Sequence, residues 1–299
     1  MIVTVTLNAA LGVSYQASGV NWGAPNQVTA VRHRAEGRGV AVARVLHTFG
    51  HEVIAAGLAG GAAGEMIRED LSRLGIPTGF TWIGKESRRV LEVTDTADGR
   101  RLSFTEPGPY ITTEELGRFA ADYRALLAEA TAVVLCGSLP AGMPAEIYAT
   151  LATYAAEAGV PAILDAGGPA LSYAAARRPA LVIPASAAAD APSLVASGAG
   201  AVVLLSDQAI EAVTARDRWC ATLAGPAAPS WPRHAVVAGL VPGVLLGWSW
   251  PDRLRHAAAL GASASAAGEV DLIAYERFMG QVRVGPPGPP AIPRNTRPA

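Results

Sequence analysis

The sequence is poor in charged side chains and holds almost no lysine. Of its 299 residues 16% are charged, with 24 basic and 25 acidic side chains and a formal net charge of −1. All of the basic residues except Lys85 are arginine. A chain without a basic excess lacks the charge that neutralises the phosphates of a nucleic acid or of an anionic membrane. We therefore expect neither a nucleic-acid partner nor a membrane partner.

Long apolar runs and targeting signals are also missing. No apolar stretch reaches the roughly 18 residues of a membrane-spanning helix without charge, Gly or Pro. Residues 1–7 contain no basic region and no cleavage signal of a secretory leader. The two cysteines, Cys136 and Cys220, stand in apolar surroundings, where buried thiols are expected rather than a disulfide. These absences predict a cytoplasmic protein.

Apolar residues make up 51% of the chain, enough for a large core. Short β-branched runs alternate with longer helical patterns, which is typical of βαβ units. The predicted core strands are 2–7, 52–57, 132–136, 162–165, 181–183 and 201–205. The predicted helices are 40–48, 63–74, 113–128, 144–158, 169–176, 234–246 and 251–266. The fold class is therefore α/β, with a doubly wound, mostly parallel sheet flanked by helices.

Four further segments alternate polar and apolar residues with period two, as strands with one wet face do. They are 13–19, 27–33, 89–95 and 101–105. Because they interrupt the βα alternation in two places, they predict a small β-sheet lid beside the main sheet. We expect one α/β domain over residues 1–284, with lid strands from 13–34 and 88–106, and a Pro-rich tail at 285–299.

A series of short motifs follows in a recognisable order. They are TLNAAL at 6–11, RAEGRGVAVARVL at 34–46, GLAGGAAG at 57–64, EPGP at 106–109, CGSLP at 136–140, LDA at 164–166 and AVVAGL at 235–240. The series resembles the PfkB (ribokinase-like) sugar kinases, in particular the 1-phosphofructokinase and tagatose-6-phosphate kinase branch. The resemblance implies a ribokinase-like fold and phosphoryl transfer from ATP to a sugar-phosphate hydroxyl.

The resemblance also implies a Gly-Ala-Gly-Asp motif at a helix start, where the glycines form an anion hole and the Asp accepts the substrate proton. This chain reads Trp231-Pro232-Arg233-His234 at those four positions. Proline removes an N–H donor, and Trp and Arg add bulk where a phosphate must fit. Loss of a general base alone lowers a rate by about 10²–10⁴.

Sugar binding in the resembling family uses an early Asp and a Gly-Gly-Lys-Gly-x-Asn loop. Here Gly12 takes the place of the Asp, Glu36 of the first Gly, Arg38 of the Lys and Ala41 of the Asn. Of these groups only the cation survives, and Arg is not equivalent to Lys. The branch's phosphate-clamp arginine corresponds to one of two neighbours on a lid strand, residues 88 and 89.

The implied nucleotide and metal motifs have changed as well. Ile183, Ala185 and Ala188 replace Lys, Asn and Glu, and residues 204–209 read LLSDQA in place of a Ser-x-Gly-x-x-Gly turn. Alanine offers no ligand to Mg²⁺. We therefore expect no cofactor and no metal.

These replacements predict a cleft that has become apolar, which suits a neutral organic ligand. The candidate catalytic residues are His234, Arg38 and Glu36. The candidate substrate-binding residues are Asn8, Gly12, Ala41, Arg89, Glu106, Ser138, Asp165, Trp231 and Arg233. His234 has a second interpretation as a helix-start residue that faces solvent.

Three functions remain open. The first is a repurposed enzyme that acts without ATP or metal on an apolar or neutral small molecule, by cyclisation, elimination or isomerisation. The second is a non-catalytic pseudokinase that binds a ligand or regulates a partner. The third is residual 1-phosphofructokinase-like activity. In each case a small-molecule ligand is expected, and the resemblance implies a homodimer formed through the lid sheet.

Overall fold

The protein is described by a computed structural model that covers residues 1–223, 231–265 and 268–287. The strands are β1 (Ile2–Thr6), β2 (Ala10–Ala17), β3 (Val28–Glu36), β4 (Val53–Ala59), β5 (Thr78–Trp82), β6 (Arg88–Asp95), β7 (Arg101–Thr105), β8 (Ala132–Cys136), β9 (Ala162–Ala166), β10 (Leu181–Pro184), β11 (Val202–Leu205), β12 (Ala209–Val213), β13 (Arg218–Leu223) and β14 (Val282–Gly285). The helices are α1 (Arg38–Thr48), α2 (Gly61–Arg73), α3 (Thr113–Leu127), α4 (Ile147–Glu157), α5 (Gly168–Ala175), α6 (Ala191–Ala196), α7 (Arg233–Leu245), α8 (Trp250–Ser263) and α9 (Leu272–Met279).

The main sheet has ten strands in the order β14-β13-β12-β11-β10-β9-β8-β1-β4-β5. All pairings from β11 to β5 are parallel, whereas β11 to β14 form an antiparallel extension. Strand β1 lies between β4 and β8, so the order in which the chain adds strands reverses at β1. Ligands bind at such a switch point, outside the carboxyl ends of the strands. The structure confirms the predicted α/β class.

Helices cover both faces of this sheet because its strands are apolar on both sides. In β8, Val133 and Leu135 pack into one buried cluster, and Val134 and Cys136 pack into the cluster on the opposite face. A strand of this kind is expected in a parallel sheet with two helical layers. No helix in the described parts of the chain combines the length and the apolar character needed to cross a membrane.

The second sheet is the predicted lid, with the strand order β3-β2-β6-β7. Its two faces differ, because residues paired directly across strands point to the same side. One row is polar and runs Ser103, Glu92, Ser14, Arg32. The next row is apolar and runs Leu102, Val93, Tyr15, Val31.

Several elements differ from the sequence prediction. Strands β5, β12, β13 and β14 and helices α6 and α9 were not predicted. Strand β2 begins at Ala10 and β3 ends at Glu36, so both lid strands reach closer to the main sheet than predicted. The predicted Pro-rich tail begins at Gly285, which ends β14, and residues 288–299 lie outside the described residues.

The start of α1 lies against the carboxyl end of β1. Gly37 has a φ of 133°, and a Cβ atom on it would lie 2.5 Å from Thr6 Cγ2. A Cβ atom on Gly39 would lie 2.5 Å from Thr6 Oγ1. Glycine is therefore required at both positions for this close approach. The approach places the first residue of α1, Arg38, at the ligand edge of the sheet.

Candidate functional site

A cleft of about 470 Å³ lies between the inner face of the lid and the main sheet. Strands β2, β3, β6 and β7 form one wall, and the first turns of α1 and α7 form the other. Five arginines line it, namely Arg32, Arg34, Arg38, Arg44 and Arg101. Two carboxylates, Glu36 and Glu92, face them. The lining therefore carries an excess of positive charge.

The predicted apolar character of the cleft is wrong. Residues 32, 34 and 36 alternate along β3 and so point to the same side, as the period of a strand requires. The prediction considered the floor of the cleft, where Ala41 does replace a polar residue. It did not consider the lid strands, which bring three arginines to the cleft from β3 and β7.

Arg34 is the best placed of these arginines to hold an anion. Its side chain is only 16% exposed, its closest acidic group is Glu269 at 3.6 Å, and it donates no hydrogen bond to any described residue. Burial lowers the pKa of Arg34, and the positive charge of Arg44 lowers it further. Arg44 itself is paired with Asp70. The positive charge of Arg34, at the wall of the cleft, is therefore only partly neutralised by Glu269.

A network around Asp165 fills the carboxyl ends of β9 and β10. Asp165 is fully buried, and its Oδ1 accepts hydrogen bonds from Arg233 Nε at 2.6 Å and Arg38 Nη1 at 3.2 Å. Arg233 Nη2 also donates to the carbonyl oxygens of Ile183 at 2.7 Å and Pro184 at 2.5 Å. Burial raises the pKa of Asp165, and the two guanidinium groups act in the opposite direction. Arg38, predicted as catalytic, and Asp165 and Arg233, predicted as ligand-binding, are therefore paired with one another.

Helix α7 begins with Pro232 at its N-cap and Arg233 as its first residue, where the resemblance implies the glycines of an anion hole. Pro232 occupies the N-cap position and has no N–H group, and its carbonyl accepts from Ala235 N at 2.9 Å. The side chain of Arg233 extends across the ends of the strands toward Asp165. The helix start thus presents a proline and an ion pair where an anion would need free N–H groups.

His234 is buried at this helix start and lines the cleft, so it does not face solvent. Burial lowers the pKa of His234 to about 4, against the effect of a hydrogen bond with the Ser265 backbone. Within the described ranges its Nε2 has no hydrogen-bond partner. The ring is therefore neutral near pH 7 and can accept a proton.

The low pKa of His234 predicts a loss of stability in acid. Because the unfolded chain takes up the proton near pH 6.5 and the folded chain only near 4, stability falls as the pH drops between these values. The shift corresponds to about 3 kcal/mol. In urea unfolding at pH 7 and pH 4, His234→Asn should lose about that much less stability than the wild type. His33→Asn, on the exposed part of β3, serves as the control and should behave like the wild type.

Four other predicted residues lie outside the cleft lining. Asn8 Nδ2 donates to Ser138 Oγ at 3.2 Å beyond the ends of β1 and β8. Arg89 Nη2 donates to Glu86 Oε1 at 3.1 Å, and its backbone N–H donates to Glu106 Oε2 at 2.8 Å. Arg89 is therefore used within the lid, and its assignment to ligand binding in the cleft is not supported by its position.

Trp231 does not line the cleft either. Its side chain is buried in the core of the main domain, and Gly261 of α8 leaves the space for its ring, since a Cβ atom there would lie 3.1 Å from Trp231 Cε3. The interpretation of Trp231 as an added ligand contact is corrected accordingly. It is a packing residue that anchors the start of α7.

Five charged residues of the cleft were not predicted from the sequence: Arg32, Arg34, Arg44, Glu92 and Arg101. The period of two in β3 and β6 carried a usable signal for the lid residues, because polar side chains there alternate with apolar ones. No local signal marks Arg44, which reaches the cleft from the second turn of α1.

At three positions that the resemblance assigns to the nucleotide and its metal, the side chains are apolar. Ile183 is buried in the core, and Ala185 and Ala188 offer no ligand atom from their side chains. The hydroxyl of Ser206 is used in a turn with Ala209. Among the described residues no three His, Cys, Asp or Glu side chains are grouped so that they could hold a metal ion. The absence of a metal and a cofactor stays a prediction.

The sequence of this chain is similar to those of known carbohydrate kinases. Residues 6–193 match the model of a family described as pfkB family carbohydrate kinase. A tagatose-6-phosphate kinase of Staphylococcus epidermidis strain RP62A is 35% identical over 171 residues, which are 57% of this chain and 54% of that protein. The same enzyme of strain ATCC 12228 is 34% identical over the same length. The match thus spans about half the length of these relatives.

Solved structures resemble the chain over nearly all of its length. A possible 1-phosphofructokinase from Thermotoga maritima has a TM-score of 0.82 at 21% identity, covering 96% of this chain and 100% of that one. Escherichia coli phosphofructokinase-2 in complex with fructose-6-phosphate has a TM-score of 0.80 at 24% identity, covering 93% and 98%. At these identities the likeness establishes the fold.

Proposed function

Because this chain belongs to the pfkB family of carbohydrate kinases, we propose that its cleft binds a phosphorylated sugar and that it works without ATP. The observation that carries the proposal is a pair of cleft arginines, Arg32 and Arg34, whose side chains donate no hydrogen bond to any described residue. The other three arginines of the lining are paired with carboxylates, Arg38 with Asp165, Arg44 with Asp70 and Arg101 with Glu92. Guanidinium groups bind phosphate through paired, charge-assisted hydrogen bonds. Ketohexose 6-phosphates, the substrates in the names of the relatives, suit a cleft of this volume and charge.

Independence from ATP is supported by the start of α7. Phosphoryl transfer needs an unobstructed anion site and charge neutralisation at the transferring group. By the resemblance that place corresponds to residues 231–234, and Pro232 and the ion pair of Arg233 with Asp165 lie there. Alanine side chains stand where the resemblance expects ligands for the nucleotide and its metal. These features argue against transfer by the route that the resemblance implies.

Proton transfer is the chemistry that remains to these residues. Neutral His234 can take a proton from the hydroxyl-bearing carbon beside the carbonyl group of a ketose phosphate and return it to the carbonyl carbon, while the hydroxyl proton passes to the former carbonyl oxygen. No oxidant and no second substrate is needed for this exchange, which interconverts a ketose and an aldose. We propose isomerisation of this type as the reaction of a repurposed enzyme, with a charged sugar phosphate in place of a neutral ligand.

The experiment that tests this proposal follows tagatose 6-phosphate by ³¹P NMR with the purified protein, first alone and then with ATP and Mg²⁺. We expect a new sugar-phosphate resonance without ATP and no bisphosphate when ATP is added. Loss of the new resonance in His234→Ala would tie the reaction to that residue. Formation of ADP and a sugar bisphosphate would contradict the proposal.

Kinase activity is the second candidate, and one observation favours it. The resemblance assigns His234 to the position of the family's catalytic Asp, and its neutral ring lines the cleft, so it is the candidate base for a substrate hydroxyl. In the experiment above this candidate predicts ADP that depends on both the sugar phosphate and His234. A burst of ADP that persists in His234→Ala would exclude His234 as the base.

We also propose that the chain forms a homodimer through the outer face of the lid. Val31, Leu102 and Phe104 are each more than a third exposed and lie on the apolar side of that sheet. Exposed apolar patches of this kind mark interfaces between proteins. A second copy fits the patch because the same apolar row would meet itself across a two-fold axis.

Charge placed on this face should dissociate the dimer. Phe104 is 53% exposed, so Phe104→Glu leaves the core intact but puts a carboxylate in the centre of the interface. By sedimentation analysis we expect a dimer for the wild type and a monomer for the variant. Tyr173→Glu, on exposed α5, is the matched control and should leave the mass unchanged. A monomeric wild type would contradict the proposal.

A further inference from the structure

The side chain of Glu36 fills the space beside Gly12, where a side chain at position 12 would otherwise lie. Strands β2 and β3 are antiparallel neighbours, with Ala10 opposite Glu36 and Gly12 opposite Arg34. A Cβ atom on Gly12 would overlap Glu36 Oε1 and would lie 2.5 Å from Glu36 Cδ and 2.8 Å from its Cγ. The carboxylate of β3 thus lies over the bare backbone of β2, and glycine at position 12 is what makes room for it.

The carboxylate of Glu36 is not used by the protein itself. In the described parts of the chain no group donates a hydrogen bond to it and no cation lies within salt-bridge distance. Glu36 is half-buried in the wall of the cleft, together with Arg38 and His234. Burial raises the pKa of Glu36, and the charges of Arg34 and Arg88 oppose this rise. The carboxylate of Glu36 is therefore a hydrogen-bond acceptor in the cleft wall that has no donor among the described residues.

A carboxylate without a hydrogen-bond donor, placed among arginines, selects for a ligand that carries both a phosphate and hydroxyl groups. A phosphate would be held at the cationic part of the wall, where Arg34 has the carboxylate of Glu269 at 3.6 Å and, among the described residues, no acceptor within hydrogen-bond distance. The carboxylate of Glu36 repels that phosphate, whereas sugar hydroxyl groups donate strong, charge-assisted hydrogen bonds to the carboxylate. The two groups therefore fix the direction in which a sugar phosphate lies.

We propose that Glu36 is the group that recognises the sugar hydroxyls. Its carboxylate does so from the place in space that a side chain at position 12 would occupy. This inference rests on the proposed function. The resemblance places a carboxylate at position 12 and glycine at position 36, and this chain has the reverse, with both positions meeting at one point in space. The carboxylate has moved from one strand to its neighbour. Gly12 and Glu36 form a complementary pair in which a side chain at position 12 requires a smaller residue at position 36.

Two probes separate recognition of hydroxyls from binding of charge. Glu36→Gln removes a negative charge from a cationic cleft, so it should leave the affinity for inorganic phosphate unchanged or increase it. The same variant should weaken tagatose 6-phosphate about tenfold or more, the size of one charged hydrogen bond. Opposite effects on the two ligands are the signature of hydroxyl recognition, because a general loss of structure would weaken both.

The exchange of the two residues provides the decisive variant. Calorimetric titrations would compare the wild type, Glu36→Gly, and the double variant Gly12→Asp/Glu36→Gly. We expect Glu36→Gly to lose affinity for tagatose 6-phosphate and the double variant to recover it to within about threefold, since Asp at 12 again puts a carboxylate at the shared point. Glu211→Gln, another half-buried acid on β12, is the control and should bind like the wild type.

The outcomes are distinct for the two proposals. If the wild type binds tagatose 6-phosphate and Glu36→Gln binds it equally well, the role of Glu36 is overturned while the proposed function stands. If the double variant stays as weak as Glu36→Gly although its circular dichroism is native, the shared position is overturned. If the wild type binds neither tagatose 6-phosphate nor inorganic phosphate, both proposals fail.

Discussion

Replacement of Asp165 by alanine is expected to lower the free energy of unfolding by about 3 kcal/mol. The carboxylate is fully buried and is the shared partner of Arg38 and Arg233, whose side chains are 33% and 21% exposed. Without it two guanidinium groups face each other across the strand ends with no counter-charge. Their remaining exposure places the expected cost at the lower end of the range for breaking a buried ion pair. Equilibrium unfolding in urea measures it.

A surface ion pair of similar geometry gives the matched control for Asp165→Ala. Asp98 accepts from Arg100 Nε at 2.6 Å, but both side chains are exposed. Asp98→Ala should therefore cost less than about 1 kcal/mol. Asp165→Asn keeps an acceptor for one guanidinium and should fall between the two. A cost below that of Asp98→Ala would show that the network around Asp165 is not a stabilising feature of the strand ends.

Removal of Arg34 should weaken the binding of tagatose 6-phosphate by about 10- to 100-fold, the value of one or two charged hydrogen bonds. Its guanidinium lines the cleft, is mostly withdrawn from solvent, and is met only by Glu269 at 3.6 Å. A phosphate there competes with Glu269, whose side chain is 70% exposed and lies beyond hydrogen-bond distance of Arg34. Calorimetric titration of Arg34→Ala gives the affinity directly, and the wild-type affinity should fall as salt is added.

An arginine outside the cleft shows whether the effect of Arg34 is local. Arg68 lies on exposed α2 and is paired with Glu65. Arg68→Ala carries the same change in net charge and should alter the affinity by less than about twofold, because its distance and screening remove it from the ligand. Equal losses in Arg34→Ala and Arg68→Ala would indicate long-range attraction and no defined phosphate site.

The core of the fold could be predicted from the sequence because its strands are apolar on both faces. Each of the six predicted core strands is present, from β1 to β11. The four strands that were missed lie toward the two ends of the main sheet, where burial is incomplete. Strand β13 reads RWCATL without a regular alternation, and β14 is only four residues long. Such segments differ little from loops in composition, and only pairing with neighbours defines them.

The site could be predicted in part, because motif positions identify residues but not what their side chains contact. His234, Arg38 and Glu36 were chosen from the sequence, and the structure places all three at one cleft. That Arg38 is held by Asp165 depends on residues 127 positions apart in the chain. The charge of the cleft likewise comes from the lid, whose strands meet α1 and α7 only in the folded protein. No local pattern contains that information.

The charge of the cleft is also the point at which the account is most easily tested. The most direct measurement is a pair of calorimetric titrations of the wild-type protein, one with tagatose 6-phosphate and one with unphosphorylated tagatose, both without ATP. We predict that the phosphate ester binds at least about tenfold more tightly, because the arginines of the cleft hold its phosphate. Equal affinities, or no binding of the ester unless ATP and Mg²⁺ are present, would contradict the account.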